Sequence, residues 1–345
     1  MHYSVTRNPI ITLDTGEEIQ TIGDPHLGRE FKTNVNLHRR GEREKSVWVT
    51  FTSLLNCGKN VVVCVGDLFD TFAVRTEVVL KAFDLVSEAC TKHPNTTFIF
   101  IPGNHDLSKD KTKASSYQMF AKLCGLDCKS NLIVVLDKDD FTTVGDTLLH
   151  LTAYNPFEPA KEEKEDFDRI KKWDGEIIAF GHYDSVNIDG KGYVPPRSLT
   201  RYCSLVVSGH EHTYTENKRG KLLVTGSMQP YSHAEDPDQT TYITVDSDTI
   251  SDLDTTVFKD MFVRILCDSK FVLEDKFECL SLTYKLKDST DKKEEIEELD
   301  TTTIDIDTLT YEQSLALALE LEEGLDSTYK EQYVNKILTR EHVKG

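Results

Sequence analysis

Side chains that bind divalent metals recur in five short blocks: Gly23-Asp24-Pro25-His26, Gly66-Asp67-Leu68-Phe69-Asp70, Gly103-Asn104-His105-Asp106, Gly181-His182 and Gly209-His210-Glu211-His212. They supply seven candidate ligands, namely Asp24, His26, Asp67, Asn104, His182, His210 and His212. Two divalent ions roughly 3.5–4 Å apart can clamp a phosphate ester and stabilise its leaving oxygen. Such a centre needs one carboxylate shared by both ions, and Asp67, central in the ordered set, is the best candidate. Asp24 and His26 can reach one ion. Asn104, His182 and His210 offer a neutral shell for the other, and His212 can turn back toward the first. Mixed imidazole and carboxylate ligands suit manganese, iron or zinc better than calcium.

His105 follows Asn104 directly, so it should lie near the metals without necessarily binding one. Asp106 could hydrogen-bond His105 and set its tautomer, an arrangement that suits a general acid or a positive group orienting the attacked phosphate. Asp70 either anchors its loop or touches substrate. Taken singly, each block has a plain alternative: Asp24 and Asp67 as caps, Asn104 as a turn residue, Gly209–His212 as a hairpin tip. The ordered set of five is what favours the metal reading.

Positioning these blocks falls to alternating strands and helices. Strands are expected at Ile19–Ile22, Asn60–Val65, Thr97–Ile101, Leu132–Leu136, Thr147–Thr152, Glu176–Phe180, Ser204–Val207, Leu222–Thr225 and Thr241–Val245, with helices near Arg43–Asn56, Thr76–Lys92 and Ser115–Cys124. Each block follows a strand, where α/β folds place their sites, and a glycine opens each of the five blocks, as a sharp turn requires. The pattern predicts a layered α/β domain with two sheets. His38, Arg39, Arg40, Arg43 and Lys45 form the densest basic patch, either a phosphate-backbone contact or a solvated helix start.

A chain of 345 residues fits two or three domains. Residues 1–17 read as an extension turning at Asp14-Thr15-Gly16, 18–248 as the catalytic domain and 249–307 as a smaller second domain with an acidic run at Asp288–Asp300. Residues 308–345 read as a helical pair, either docked on its own domain or awaiting a partner. Net charge is −19, which argues against a freestanding DNA-coating protein and suggests that a partner supplies much of any grip on nucleic acid. Eight cysteines without a CxxC pair read as free thiols. No signal segment or membrane-length apolar run is evident, so a cytoplasmic location is expected.

With those residues in hand, the chain resembles the calcineurin-like metallophosphoesterases from about Glu18 to Val245, and within them the SbcD-type DNA-repair nucleases. Asp67-Leu68-Phe69-Asp70-Thr71 resembles the nuclease branch, whereas protein phosphatases carry an Asp-Arg-Gly continuation absent here; Gly226-Ser227-Met228-Gln229-Pro230 resembles the nucleases too. The resemblance implies a four-layer α/β/β/α sandwich, a small α+β capping domain and C-terminal helices. It implies one Mn2+ on Asp24, His26, Asp67 and His212, a second on Asp67, Asn104, His182 and His210, and His105 as the catalytic histidine. It further implies 3′-to-5′ exonuclease and endonuclease action on double-stranded DNA ends, and a homodimer formed through Thr76–Leu85 and Ser115–Leu123. An SbcC-type coiled-coil ATPase gripped by the C-terminal helices completes the picture. The competing readings are a freestanding phosphoesterase acting on small phosphodiesters or phosphoproteins, and a metal-free scaffold, which should show gaps among the ligands.

Overall fold

The structure, a computed structural model, describes residues 1–35, 37–110, 112–157, 164–185, 193–219, 221–268 and 277–287. The expected acidic run and the helical pair at 308–345 lie outside the described residues.

Two short strands and a series of buried five-residue strands start the fold. β1 (His2–Tyr3), β2 (Ile10–Thr12), β3 (Glu18–Ile22), β4 (Val61–Val65), β5 (Thr97–Ile101) and β6 (Leu132–Val134) form one sheet in that order. β1 to β3 pair antiparallel and β3 to β6 parallel. Because successive side chains leave a strand on opposite faces, the apolar run of β4 serves two cores. Val61, Val63 and Val65 face the second sheet, whereas Val62 and Cys64 face helices α1 (Glu42–Leu55), α2 (Thr76–Lys92) and α3 (Ser116–Asp127). Phe51, Val79, Val86 and Phe120 fill that helical side. Ser115 starts α3 with a capping box, its Oγ accepting from Gln118 N at 3.1 Å while its own N–H donates to Gln118 Oε1 at 2.9 Å.

The second sheet contains β7 (Asp140–Val144), β8 (Thr147–Leu151), β9 (Ile177–Gly181), β10 (Leu205–Ser208), β11 (Thr215–Asn217) and β12 (Leu222–Val224), arranged β11-β12-β10-β9-β8-β7. Leu149, Leu151, Ile178, Phe180, Leu205 and Val207 meet the first sheet. Leu148, Ile177, Ala179 and Val206 face outward and are covered by Ile170 of α4 (Lys164–Lys172) and Leu199 of α5 (Arg197–Tyr202). Helices, sheet, sheet and helices thus make the four-layer α/β/β/α sandwich. The edge strands β7 and β11 and the helix α4 escape the sequence reading because each is mostly polar, with one or two residues turned inward.

Two details differ from expectation. The strand read as the last of the catalytic domain, β13 (Tyr242–Asp246), joins neither large sheet. It pairs parallel with β14 (Phe262–Cys267), which pairs parallel with β15 (Ser281–Leu286). Within this third sheet Tyr242 stacks on Phe262 at 4.6 Å, and Phe262 meets Phe31, in the segment before α1, at 6.2 Å between ring centres. Arg39, nearly buried, adds bonds at 2.7 Å to Asp260 and Glu42 and one to the Lys259 carbonyl. Arg43 is likewise buried, donating to Gln229 and to the Pro230 carbonyl. Two members of the basic patch are therefore committed to internal contacts.

Candidate metal centre

All five blocks meet where the carboxyl ends of the two sheets come together. Asp24 and His26 follow β3, Asp67 follows β4, Asn104 and His105 follow β5, His182 follows β9, and His210 and His212 follow β10. Four of the seven ligands hold positive φ: Asp24 at 22°, His26 at 44°, Asp67 at 46° and His210 at 76°. Such backbone is costly for residues with a Cβ and persists only where the surroundings impose it, often at functional sites. The preceding glycines explain how the loops close. A Cβ on Gly66 would overlap the His182 ring, and one on Gly103 would overlap the side chain and main chain of Asp67.

Asp24, His26, Asp67 and His182 form a buried floor, with exposures of 0%, 1%, 2% and 1%. Asn104, His210 and His212 form a partly exposed wall, and His105 stands exposed at its rim. On one side, His26 Nε2 lies 3.0 Å from His212 Nε2, with Asp67 Oδ2 3.9 Å from the former and Asp24 Oδ2 3.9 Å from the latter. On the other, Asn104 Oδ1 lies 2.8 Å from His182 Nε2 and 2.9 Å from His210 Nδ1, and Asp67 Oδ2 lies 3.4 Å from His182 Nε2. Ligand bonds of about 2.0–2.2 Å allow two ligands of one ion to stand about 4 Å apart, so each group can share an ion. Asp67 Oδ2 neighbours both groups.

The electrostatics of this cluster fit divalent cations. Asp24 Oδ2 is buried with no hydrogen-bond partner. Burial raises the Asp24 carboxyl, an effect that His182 only partly offsets. Burial alone would also raise Asp67, but His182, His26 and His105 outweigh it and hold Asp67 well below the carboxylate range. Burial drives His26 down to about 3, and so keeps a neutral ring. His182 is opposed by burial yet pushed up to about 10 by Asp67 and Asp24. Two buried carboxylates beside a neutral His26 need positive charge, of which the raised His182 supplies one unit only while it keeps its proton. A pair of divalent ions supplies that charge, and the donor types suit manganese, iron or zinc.

The Calcineurin-like phosphoesterase family matches residues 19–214, more than half of the chain. The chain belongs to this family. Its members are metal-dependent hydrolases of phosphoester bonds that use a dinuclear divalent centre. A comparison with curated proteins found no match.

Within this phosphoesterase, one expected contact is replaced. Asp106 does not meet His105; its carboxylate accepts from the N–H groups of Leu68 and Phe69 at 2.9 Å and of Gly103 at 3.0 Å. The two neighbours in sequence point opposite ways, His105 outward and Asp106 into the loop junction, where it ties the second block to the third. His105 Nδ1 lies 2.5 Å from the Asp70 carbonyl instead, which sets its tautomer and leaves Nε2 for a substrate. The Asp70 carboxylate stands 3.5 Å from His26 Nδ1 and 3.8 Å from Arg29.

The sequence reading missed a supporting ring. Glu235 contacts His212, and Asp184 contacts His210. Arg7, in the N-terminal extension, donates to the carbonyls of His212 at 3.2 Å, Ser227 at 2.7 Å and Glu235 at 2.6 Å. Asn8 Oδ1 accepts from Gly23 N at 2.9 Å. Residues 1–17 thus complete the first sheet and brace two ligand loops. Nothing in their spacing signals the Arg7 contacts, which join residues 205 to 228 positions apart.

Proposed function

We propose that the protein is a manganese-dependent two-metal DNA nuclease subunit of the SbcD type. It cuts duplex ends as a 3′-to-5′ exonuclease and endonuclease, and acts with an SbcC-type coiled-coil ATPase in DNA repair, recombination or replication. One ion takes Asp24, His26, Asp67 and His212; the other takes Asp67, Asn104, His182 and His210. When bound, the ions polarise the phosphoryl group and lower the pKa of an attacking water. His105, exposed and fixed through Nδ1, presents Nε2 to the phosphate or to the departing oxygen and can pass it a proton.

The observation that carries the polymer reading is a groove of about 620 Å³ running from His105 past Asp70 to Arg29, Thr71 and Arg75, with Val74 and Val78 along it. A small ester needs no such extension. A chain of phosphodiesters continues beyond the scissile group and can lie along it. For the homodimer, support comes from α2 and α3, which leave Leu80 at 45% and Met119 at 44% exposure. The net charge of −19 supports a partner that contributes DNA affinity.

The test offers purified protein with Mn2+ either linear duplex DNA or bis(4-nitrophenyl) phosphate. Digestion of the DNA is expected. Rapid ester turnover with intact DNA would overturn the nuclease reading and favour a small-molecule phosphodiesterase.

A further inference from the structure

Two carboxylates outside the ligand set engage opposite nitrogens of neighbouring imidazoles. Glu235 Oε1 lies 3.0 Å from Nδ1 of His212, which leaves Nε2 facing His26 and Asp24. Asp184 Oδ1 lies 2.8 Å from Nε2 of His210, which leaves Nδ1 facing Asn104 and His182. An imidazole that ligates through one nitrogen carries its proton on the other. A carboxylate on that proton fixes the tautomer and ring rotation and makes the ligating nitrogen a better donor.

We propose that Glu235 and Asp184 are positioning residues that set the two metal positions separately. Glu235 serves the ion of Asp24, His26 and His212, and Asp184 serves the ion of Asn104, His182 and His210. This rests on the two-metal reading above.

The need for such anchors follows from burial. His26 and His182, both 1% exposed, are held by the packing around them, with His182 Nδ1 also donating to the Val65 carbonyl at 3.0 Å. His210 and His212 are 32% and 26% exposed, so packing alone fixes their ring rotation less firmly. The anchors are also independent. Glu235 accepts from Tyr231 N at 2.9 Å and Ser232 Oγ at 3.1 Å. Asp184 accepts from Tyr193 N at 2.5 Å, and its own N–H donates to the Tyr193 carbonyl at 2.9 Å. These two supports share no residue, so loss of one should act chiefly on its own ion, the two ions being joined only through Asp67 and the bond from His210 N to Asp24.

Titration of metal-free protein with Mn2+, followed by calorimetry and by the electron spin resonance of the coupled ion pair, tests this. The wild type should take two ions. Asp184→Asn and Glu235→Gln should each keep one ion near wild-type affinity and weaken the other by about 10- to 100-fold, with the spin-coupled signal lost at low Mn2+. Placed on Asn104→Ala, Asp184→Asn should add little, whereas Glu235→Gln should weaken the remaining ion. Unchanged thermal unfolding of the metal-free variants excludes a general loss of fold. Retention of both ions by both variants, or loss of both in either one, overturns the inference while leaving the two-metal centre intact. A wild type that takes up no Mn2+ overturns the centre itself, and the inference with it.

Discussion

His105 and Asp106 are adjacent in the chain and opposite in environment, which gives them separable roles. His105 is exposed beside the floor of ligands, so His105→Ala should leave Mn2+ binding intact and slow hydrolysis by about 10²- to 10⁴-fold, the usual worth of a general acid. Asp106 is fully buried and serves three main-chain N–H groups. Asp106→Asn replaces one accepting oxygen by a donor and leaves at least one buried N–H unpaired, a cost of about 1–3 kcal/mol. Chemical denaturation should register that loss, and an unchanged midpoint would refute the clamp. Asp67→Asn should abolish hydrolysis with little effect on folding in metal-free protein, since it removes negative charge from a crowded buried cluster; activity near wild type would count against a shared ligand. The seven candidate ligands were legible because each of their five blocks opens on a glycine at the end of an apolar strand. The Asp106 contact was not, because adjacency in sequence says nothing about which way two side chains leave a turn.

Strands and loops decide which of those side chains can meet. Gly103 packs against Asp67 with no space for a methyl group, so Gly103→Ala should displace the loop after β5 and cost both metal affinity and stability, read as weaker Mn2+ uptake in calorimetry. Long apolar strands such as β4 and β5 could be read from their residues, because a run buried on both faces admits few other fates. The membership of β13 could not. Its short alternating pattern fits any sheet, and only pairing with β14 decides. That third sheet also gives a pH dependence. His233 lies against Thr244 and Tyr242, and burial, aided by Arg264, holds it near 4, below its ordinary 6.5. The unfolded chain therefore binds this proton more readily. The stabilisation is complete above pH 6.5 and is lost as pH falls toward 4, by about 1 kcal/mol once solvent screening is allowed for. His233→Gln should flatten the fall in denaturation midpoint between pH 7 and pH 5; an equal slope in both proteins would assign the dependence elsewhere.

Across the whole molecule the dominant fact is negative charge, 59 acidic against 40 basic residues. Two divalent ions correct the field only at the centre, and beyond about 10 Å salt screens their attraction for a distant phosphate. Arg39 and Arg43, two of the three arginines in the densest basic stretch, are spent on internal bonds, which lowers the positive charge left for any polyanion further. On the nuclease reading proposed above, a protein so charged has few means of holding a polyanion, and a partner would supply the grip. The compact unit Met1–Lys287 contains every named residue of the proposed centre. If residues 308–345 recruit the ATPase, the full chain and a chain ending at 307 should hydrolyse a short duplex equally when alone. Only the full chain should co-purify with the ATPase and be stimulated by it, and it alone should lose less activity as salt is raised from about 50 to 200 mM. Equal capture of both chains would move the docking surface onto the catalytic unit and leave the metal centre unaffected.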